Sequence, residues 1–102
     1  MTDIASARRT LLARMLDGEG AAPKAQRHAA YENAGVTGPV RTLLEKIACD
    51  AHRVSDDDVR KALASGLTED QVFELATCAA VGQADRHYAA ALAVLAQACG
   101  KE

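Results

Sequence analysis

Apolar side chains recur along this chain at the spacing of one face of an α-helix, in segments divided by glycine and proline. The clearest segment is 40–51, whose apolar residues fall at i, i+3, i+4, i+7, i+8 and i+11: Val40, Leu43, Leu44, Ile47, Ala48 and Ala51. This period places them on one side of a helix. No stretch alternates apolar and polar residues with enrichment in β-branched residues, so the pattern predicts an all-α protein.

Five helical segments are predicted. They run from about Thr2 or Asp3 to Leu16, from Pro23 to about Ala34, from Gly38-Pro39 to near His52 or Arg53, from Ser55 to Gly66, and from Thr68 to Cys99. The second segment is polar, and either a short helix or a connector fits it. Gly82 lies in the middle of the last segment, where a glycine costs roughly 1 kcal/mol relative to alanine. We therefore expect either one long kinked helix or two helices that meet near Gly82. A close contact with another helix would also explain a glycine at this position.

Two helix starts are marked by local chemistry. Thr68 and Gln71 have the spacing of a capping box, and the preceding Gly66 suits a left-handed position that ends a helix. Ser55 is an N-cap residue, followed by three aspartates at 56–58. Acidic side chains in a first turn are favoured by the helix dipole, which explains this acidic run without a metal ion.

Composition bounds the size and the class of the protein. A chain of 102 residues with 49% apolar residues and a net charge of −2 fits one soluble domain. It has no basic block for nucleic acid or an anionic membrane, no apolar run long enough to span a bilayer and no signal-peptide pattern. We therefore expect a cytoplasmic protein that binds neither nucleic acid nor membrane.

Alanine dominates the apolar residues, with 23 alanines against 10 leucines. Alanine is the best helix former, but it buries little area, and each buried CH₂ group contributes only about 0.8 kcal/mol. A short chain with such small side chains has a marginal core as a monomer. We therefore expect closely packed helices and a homo-oligomer that shares its buried surface; a bundle that closes on itself is the alternative.

Few residues suggest reactive chemistry. Cys49, Cys78 and Cys99 form no Cys-x-x-Cys pair, and on apolar helix faces free cysteines act as small hydrophobic residues. Cys49 is followed by His52 at i+3, which on a helix would place an imidazole beside the thiol and favour a nucleophilic thiolate. His87 is a weaker candidate and is expected at the helix surface or a subunit contact. No cofactor motif and no metal-ligand spacing is present, so neither a cofactor nor a metal is expected.

Residues 39–95 resemble the carboxymuconolactone decarboxylase and alkyl hydroperoxidase D-like superfamily. The resemblance is carried by residues 51–59 (AHRVSDDDV) and 66–75 (GLTEDQVFEL), then by Ala79-Ala80-Val81-Gly82 and Arg86. It implies an all-α bundle of about five or six helices that assembles into oligomers, often trimers or hexamers. In these terms the chain is one domain, 1–102, with N-terminal helices in 1–37 and the superfamily-like core in 38–99.

The chain departs from this superfamily at its redox motif. The peroxidase members have Cys-x-x-Cys with a histidine four residues after the second cysteine. If that histidine is His52, the two cysteine positions hold Glu45 and Ala48, and Cys49 is one residue out of register. The resemblance therefore implies a non-redox branch without two-cysteine peroxidase activity.

Three functional hypotheses follow. The leading one is a non-redox homo-oligomer that serves as an accessory or small-ligand-binding module. The second is an enzyme, either a peroxidase that uses Cys49 with His52 or a decarboxylase-like or isomerase-like activity in a pocket between subunits. The third is a structural subunit that associates with a different protein.

Overall fold

The computed structural model describes residues 4–100, and this part of the chain is helical with no strand. The prediction of an all-α fold is confirmed. Five α-helices follow one another, joined by short loops and by one turn of 3₁₀ helix at Ala51–Arg53: α1 Ile4–Asp17, α2 Lys24–Glu32, α3 Pro39–Cys49, α4 Asp56–Ala64 and α5 Glu69–Cys99. The predicted start of the first helix, at Thr2 or Asp3, lies outside the described residues.

The predicted caps are confirmed. At the start of α4, the Ser55 hydroxyl accepts a hydrogen bond from the backbone N–H of Asp58, and the Asp58 carboxylate accepts one from the backbone N–H of Ser55. Thr68 and Gln71 form the same reciprocal pair at the start of α5. Gly66, which precedes that cap, has φ of +111°. These ends are set by residues close together in sequence, so the sequence alone identifies them.

Two helix boundaries differ from the prediction, and two open alternatives are resolved. α2 ends at Glu32, two residues early, because Asn33 adopts a left-handed conformation with φ of +56°. α3 ends at Cys49, since Asp50 is extended with φ of −160°. The last segment is one continuous helix through Gly82, so the expectation of two separate helices is wrong, and so is the alternative that the second segment is a mere connector.

The core lies where α2 and α3 pack against the first half of α5, with α4 against α3. Its largest fully buried side chains are Leu43, Leu75 and Cys78. Around them lie several alanines, among them Ala30, Ala62 and Ala79 at 1% exposure or less. Small side chains therefore bring the helices close together, as the alanine-rich composition predicts.

The second half of α5 leaves this core. Gly82 is the last buried residue of the helix, and each residue from 86 to 99 is exposed. A 31-residue helix is about 46 Å long at 1.5 Å per residue. This helix accounts for most of the longest dimension of the described chain, 55 Å.

Candidate functional site

The largest unexplained feature of the surface is the end of α5, residues 88–99, called here the α5 tail. Its sequence, YAAALAVLAQAC, contains no charged residue. Tyr88, Leu92, Val94 and Leu95 are between 48% and 63% exposed. A helix without charge on any side is normally enclosed by other helices, whereas a surface helix has one polar face. The tail is thus a candidate binding surface for other helices.

The large side chains of the tail do not all lie on one face. Tyr88, Leu92, Leu95 and Cys99 fall at i, i+4, i+7 and i+11 and form one stripe. Val94 lies about 160° around the helix from Leu92, since successive residues turn by about 100°. One partner helix can cover the stripe but not Val94, so enclosing the tail requires more than one neighbour.

A polar cluster holds α5 in place at the base of the tail. The Asp85 carboxylate accepts a hydrogen bond from the hydroxyl of Tyr31 on α2, and it forms an ion pair with Arg8 on α1, with 2.7 Å between Nη2 and Oδ1. The Tyr31 hydroxyl and then the Arg8 guanidinium hold the pKa of Asp85 below its usual range. The same hydrogen bond raises the pKa of Tyr31, because it holds the phenolic proton against a carboxylate. Three helices thus meet at Asp85.

The backbone of Tyr31 is held by two further residues of α5. Arg86 donates a hydrogen bond from Nη1 to the Tyr31 carbonyl oxygen at 2.7 Å, and its guanidinium also binds the Gln83 side-chain oxygen. Gly82 lies directly below this carbonyl, since a Cβ atom added to Gly82 would lie 1.9 Å from the oxygen. The carbonyl belongs to the last turn of α2, where backbone carbonyl groups have no hydrogen-bond partner within their own helix. Arg86 therefore satisfies the end of α2 while Gly82 permits the contact.

Helix α1 adds a second exposed apolar surface. None of the residues Ile4–Asp17 is buried, and Ile4 and Leu11 are 79% and 62% exposed. Ile4, Arg8 and Leu11 fall at i, i+4 and i+7, on one face of the helix. Since Arg8 binds Asp85, this face of α1 is near the point where α5 leaves the core.

Sequence reasoning missed two charged residues that bind the backbone at the loop between α1 and α2. Arg27 on α2 is only 4% exposed, and its guanidinium donates hydrogen bonds to the carbonyl oxygens of Ala22 and Met15 at 3.0 and 3.1 Å. Across the same loop, the Glu74 carboxylate accepts hydrogen bonds from the backbone N–H groups of Ala21 and Ala22. These two bonds hold the pKa of Glu74 below its usual range. Arg27 and Glu74 therefore hold the loop between α1 and α2 in place.

The structure does not bring the predicted thiol and imidazole together. Because α3 ends at Cys49, the expectation that Cys49 and His52 share a helical face is wrong. The exposed Cys49 sulfur lies 4.0 Å from the side-chain nitrogen of Asn33, whereas His52 Nδ1 lies 3.1 Å from Asp50 Oδ1. No hydrogen bond joins Cys49 to His52 in the described chain.

His87, Cys78 and Cys99 lie on α5. The His87 ring contacts the Gln83 amide, one turn away, at 2.9 Å, so it lies at the base of the tail. Cys99 is exposed at the end of the tail, whereas Cys78 is fully buried. Burial raises the pKa of the Cys78 thiol, which keeps it protonated and inert.

Two of the three aspartates at 56–58 bind neighbouring cations. Asp58 accepts hydrogen bonds from the Lys46 ammonium group at 2.9 and 3.2 Å, and Asp57 pairs with Lys61 and Arg60.

Among residues 4–100, no group of three or more His, Cys, Asp and Glu side chains is arranged to hold a metal ion. Within the same range, no helix combines the length and the apolar character that crossing a membrane would require.

Comparison with protein-family models, with curated proteins and with solved structures gave no match to this chain.

Proposed function

We propose that this protein is a non-redox, homo-oligomeric helical module of the alkyl hydroperoxidase D-like kind, acting in the cytoplasm as an accessory or small-ligand-binding protein. The α5 tail and the exposed face of α1 form its assembly surface. The observation that carries the proposal is the tail itself: twelve residues without charge project from a core that is complete without them.

The magnitudes favour an assembly of more than two helices. Fully burying a Val or Leu side chain contributes about 1.5–3 kcal/mol, so covering four half-exposed large side chains contributes about 4 kcal/mol per chain. Association costs an estimated 4–15 kcal/mol in lost translational and rotational freedom. Two chains together gain about 8 kcal/mol, which lies within this range and leaves little surplus, so the alanines, Ile4 and Leu11 are needed as well. A cluster of several tails covers them all, in agreement with the trimers and hexamers that the resemblance implies.

The motifs of the resemblance have structural roles in this fold. The residues that carry it surround the Ser55 cap, the Gly66 turn and the Thr68 cap, and they continue to Gly82 and Arg86. These positions build α4, begin α5 and join α5 to α2. A non-redox role is supported by the side-chain contacts of the candidate pair. Cys49 contacts Asn33 and His52 contacts Asp50, so the imidazole does not activate the thiol.

Sedimentation velocity under reducing conditions tests the assembly. We expect the unmodified protein to sediment as an oligomer and the double variant Leu92→Lys/Leu95→Lys to sediment as a monomer with unchanged helical circular dichroism. Ala64→Lys is the matched control, because Ala64 is exposed at the end of α4, outside the proposed surface. A helical, monomeric unmodified protein at micromolar concentration would refute self-assembly and favour the hypothesis of a different protein partner.

A further inference from the structure

A cleft of about 480 Å³ opens at the surface of the core. It lies between α2, the loop that joins α2 to α3, and the turn before α5. Its floor is formed by Val40 and Leu75, which are 8% and 1% exposed. Its volume lies in the range of about 300–1,000 Å³ that is usual for small-molecule sites.

The walls of the cleft are uncharged. Apolar side chains from three elements contribute, including Ala29 from α2, Val36 from the loop and Leu67 from the turn before α5. No Asp, Glu, Lys, Arg or His occurs among the described residues that line it, although a quarter of the chain is charged. A charged molecule there would lose hydration without gaining a counter-ion, which is strongly unfavourable.

Three polar side chains lie among these apolar walls. The Ser65 hydroxyl donates to the Ala62 carbonyl oxygen at 2.6 Å, so its own oxygen remains an acceptor. The Thr37 hydroxyl and the Gln26 amide line the cleft and make no hydrogen bond within the described chain. They are therefore able to bind a polar group of a ligand without breaking an existing contact.

The loop wall is shaped by backbone conformation. Gly35 and Gly38 have φ of +87° and +82°, a region that residues with a Cβ atom rarely adopt. Space is not the reason for a glycine at 38, because an added Cβ would meet nothing within 4 Å. These glycines turn the chain so that Val36 and Thr37 line the cleft.

We propose that this cleft binds a small uncharged molecule, with an apolar body against Val40 and Leu75 and one hydroxyl or amide group that reaches Thr37 or Gln26. The inference adds a site and a ligand class to the proposed function. It does not depend on self-assembly, because one chain supplies the whole lining.

Three probes of matched shape and different charge test the ligand class. Benzyl alcohol, benzoate and benzylammonium are titrated into ¹⁵N-labelled protein, and the amide shifts of Gly35, Gly38 and Gly66 report the cleft. We expect saturable shifts with benzyl alcohol and binding of the two ions that is at least about tenfold weaker, because neither ion finds a counter-charge. Gly18, which lies outside the cleft, provides the internal control.

Two variants test the location. Ala29→Phe fills the cleft and should abolish the response, whereas Ala80→Phe, on an exposed face of α5, should retain it.

Thr37→Val keeps the shape and should weaken binding of benzyl alcohol by about tenfold or less, as expected for one hydrogen bond. Repeating the titration on Leu92→Lys/Leu95→Lys separates this site from the assembly surface, since the cleft should respond in either oligomeric state. Unresponsive cleft amides, equal binding of the three probes, or a full response in Ala29→Phe would each overturn the proposal.

Discussion

Replacing Gly82 with alanine sets two effects of opposite sign against each other. In a helix interior alanine is more stable than glycine by about 1 kcal/mol, so helix propensity alone favours the variant. At this position, however, the new Cβ atom would lie 1.9 Å from the Tyr31 carbonyl oxygen and 2.7 Å from its carbon. Both are backbone atoms of α2, so no side-chain rotation relieves the contact.

The expected cost follows from what must move. To restore even a 3.0 Å contact, α2 and α5 have to separate by about 1 Å. Such overpacking costs about 1–3 kcal/mol. The shift also strains the hydrogen bonds from Arg86 to the Tyr31 carbonyl and from the Tyr31 hydroxyl to Asp85, each with a net contribution of about 1 kcal/mol. After the gain in propensity is subtracted, we expect Gly82→Ala to lower the free energy of unfolding by about 2–4 kcal/mol.

Urea denaturation followed by circular dichroism measures this loss, at one fixed protein concentration because the proposed assembly would make stability depend on concentration. The thermal midpoint should fall by at least about 8 °C, given about 4–8 °C per kcal/mol for a domain of this size. Ala84→Gly, on an exposed face of the same helix, is the control, with an expected loss of about 1 kcal/mol from propensity alone. If Gly82→Ala proves as stable as the unmodified protein or more stable, the close approach of α2 to α5 is refuted.

Two further predictions concern titratable groups. Because its pKa is lowered in the folded state, Glu74 stabilises the fold above its unfolded pKa, and this contribution is lost as the pH falls through the folded value. Glu74→Gln should therefore lower stability at pH 7 by about 1–2 kcal/mol and flatten its decline in acid, as denaturation between pH 3 and 7 would show; an unchanged profile would contradict the anchoring role. In the native protein a thiol reagent should react rapidly with Cys49, which lies outside the α5 tail, and with Cys78 only after unfolding, so that rapid modification of Cys78 in the folded state would refute its burial.

The helix starts were predictable because their causes are local. Ser55 and Thr68 are each recognised from a partner three residues away, and Gly66 from its place just before a cap. The periodic apolar face of α3 was predictable for the same reason. Its end was not, because Asp50 leaves helical geometry within a stretch, 49–53, that contains neither glycine nor proline. The proposed pairing of Cys49 with His52 depended on that boundary and failed with it.

The tertiary contacts were beyond sequence reasoning. Arg27 reads as a solvent-exposed residue of a polar helix, yet its guanidinium is buried because loop carbonyl oxygens lie within reach. Glu74 binds backbone groups more than fifty positions away in sequence. Gly82 was recognisable as unusual, but the Tyr31 carbonyl that explains it belongs to another helix. Each of these contacts requires the relative placement of two helices, which no local pattern contains.

The two halves of α5 differ in the side chains that bear on the proposed assembly. In the first half, small residues such as Cys78, Ala79 and Gly82 let α2 and α3 pack closely. The alanines of the tail alone do not prove that it is covered, because an alanine-rich helix continues readily once a preceding segment has nucleated it. The proposal that it is covered rests on the large side chains, since Tyr88, Leu92 and Val94 gain nothing from water contact at about half exposure or more. Lysine at 92 and 95 removes two of these large side chains and leaves the alanines in place, so dissociation of that variant would attribute assembly to the large side chains and not to the helix-forming alanines.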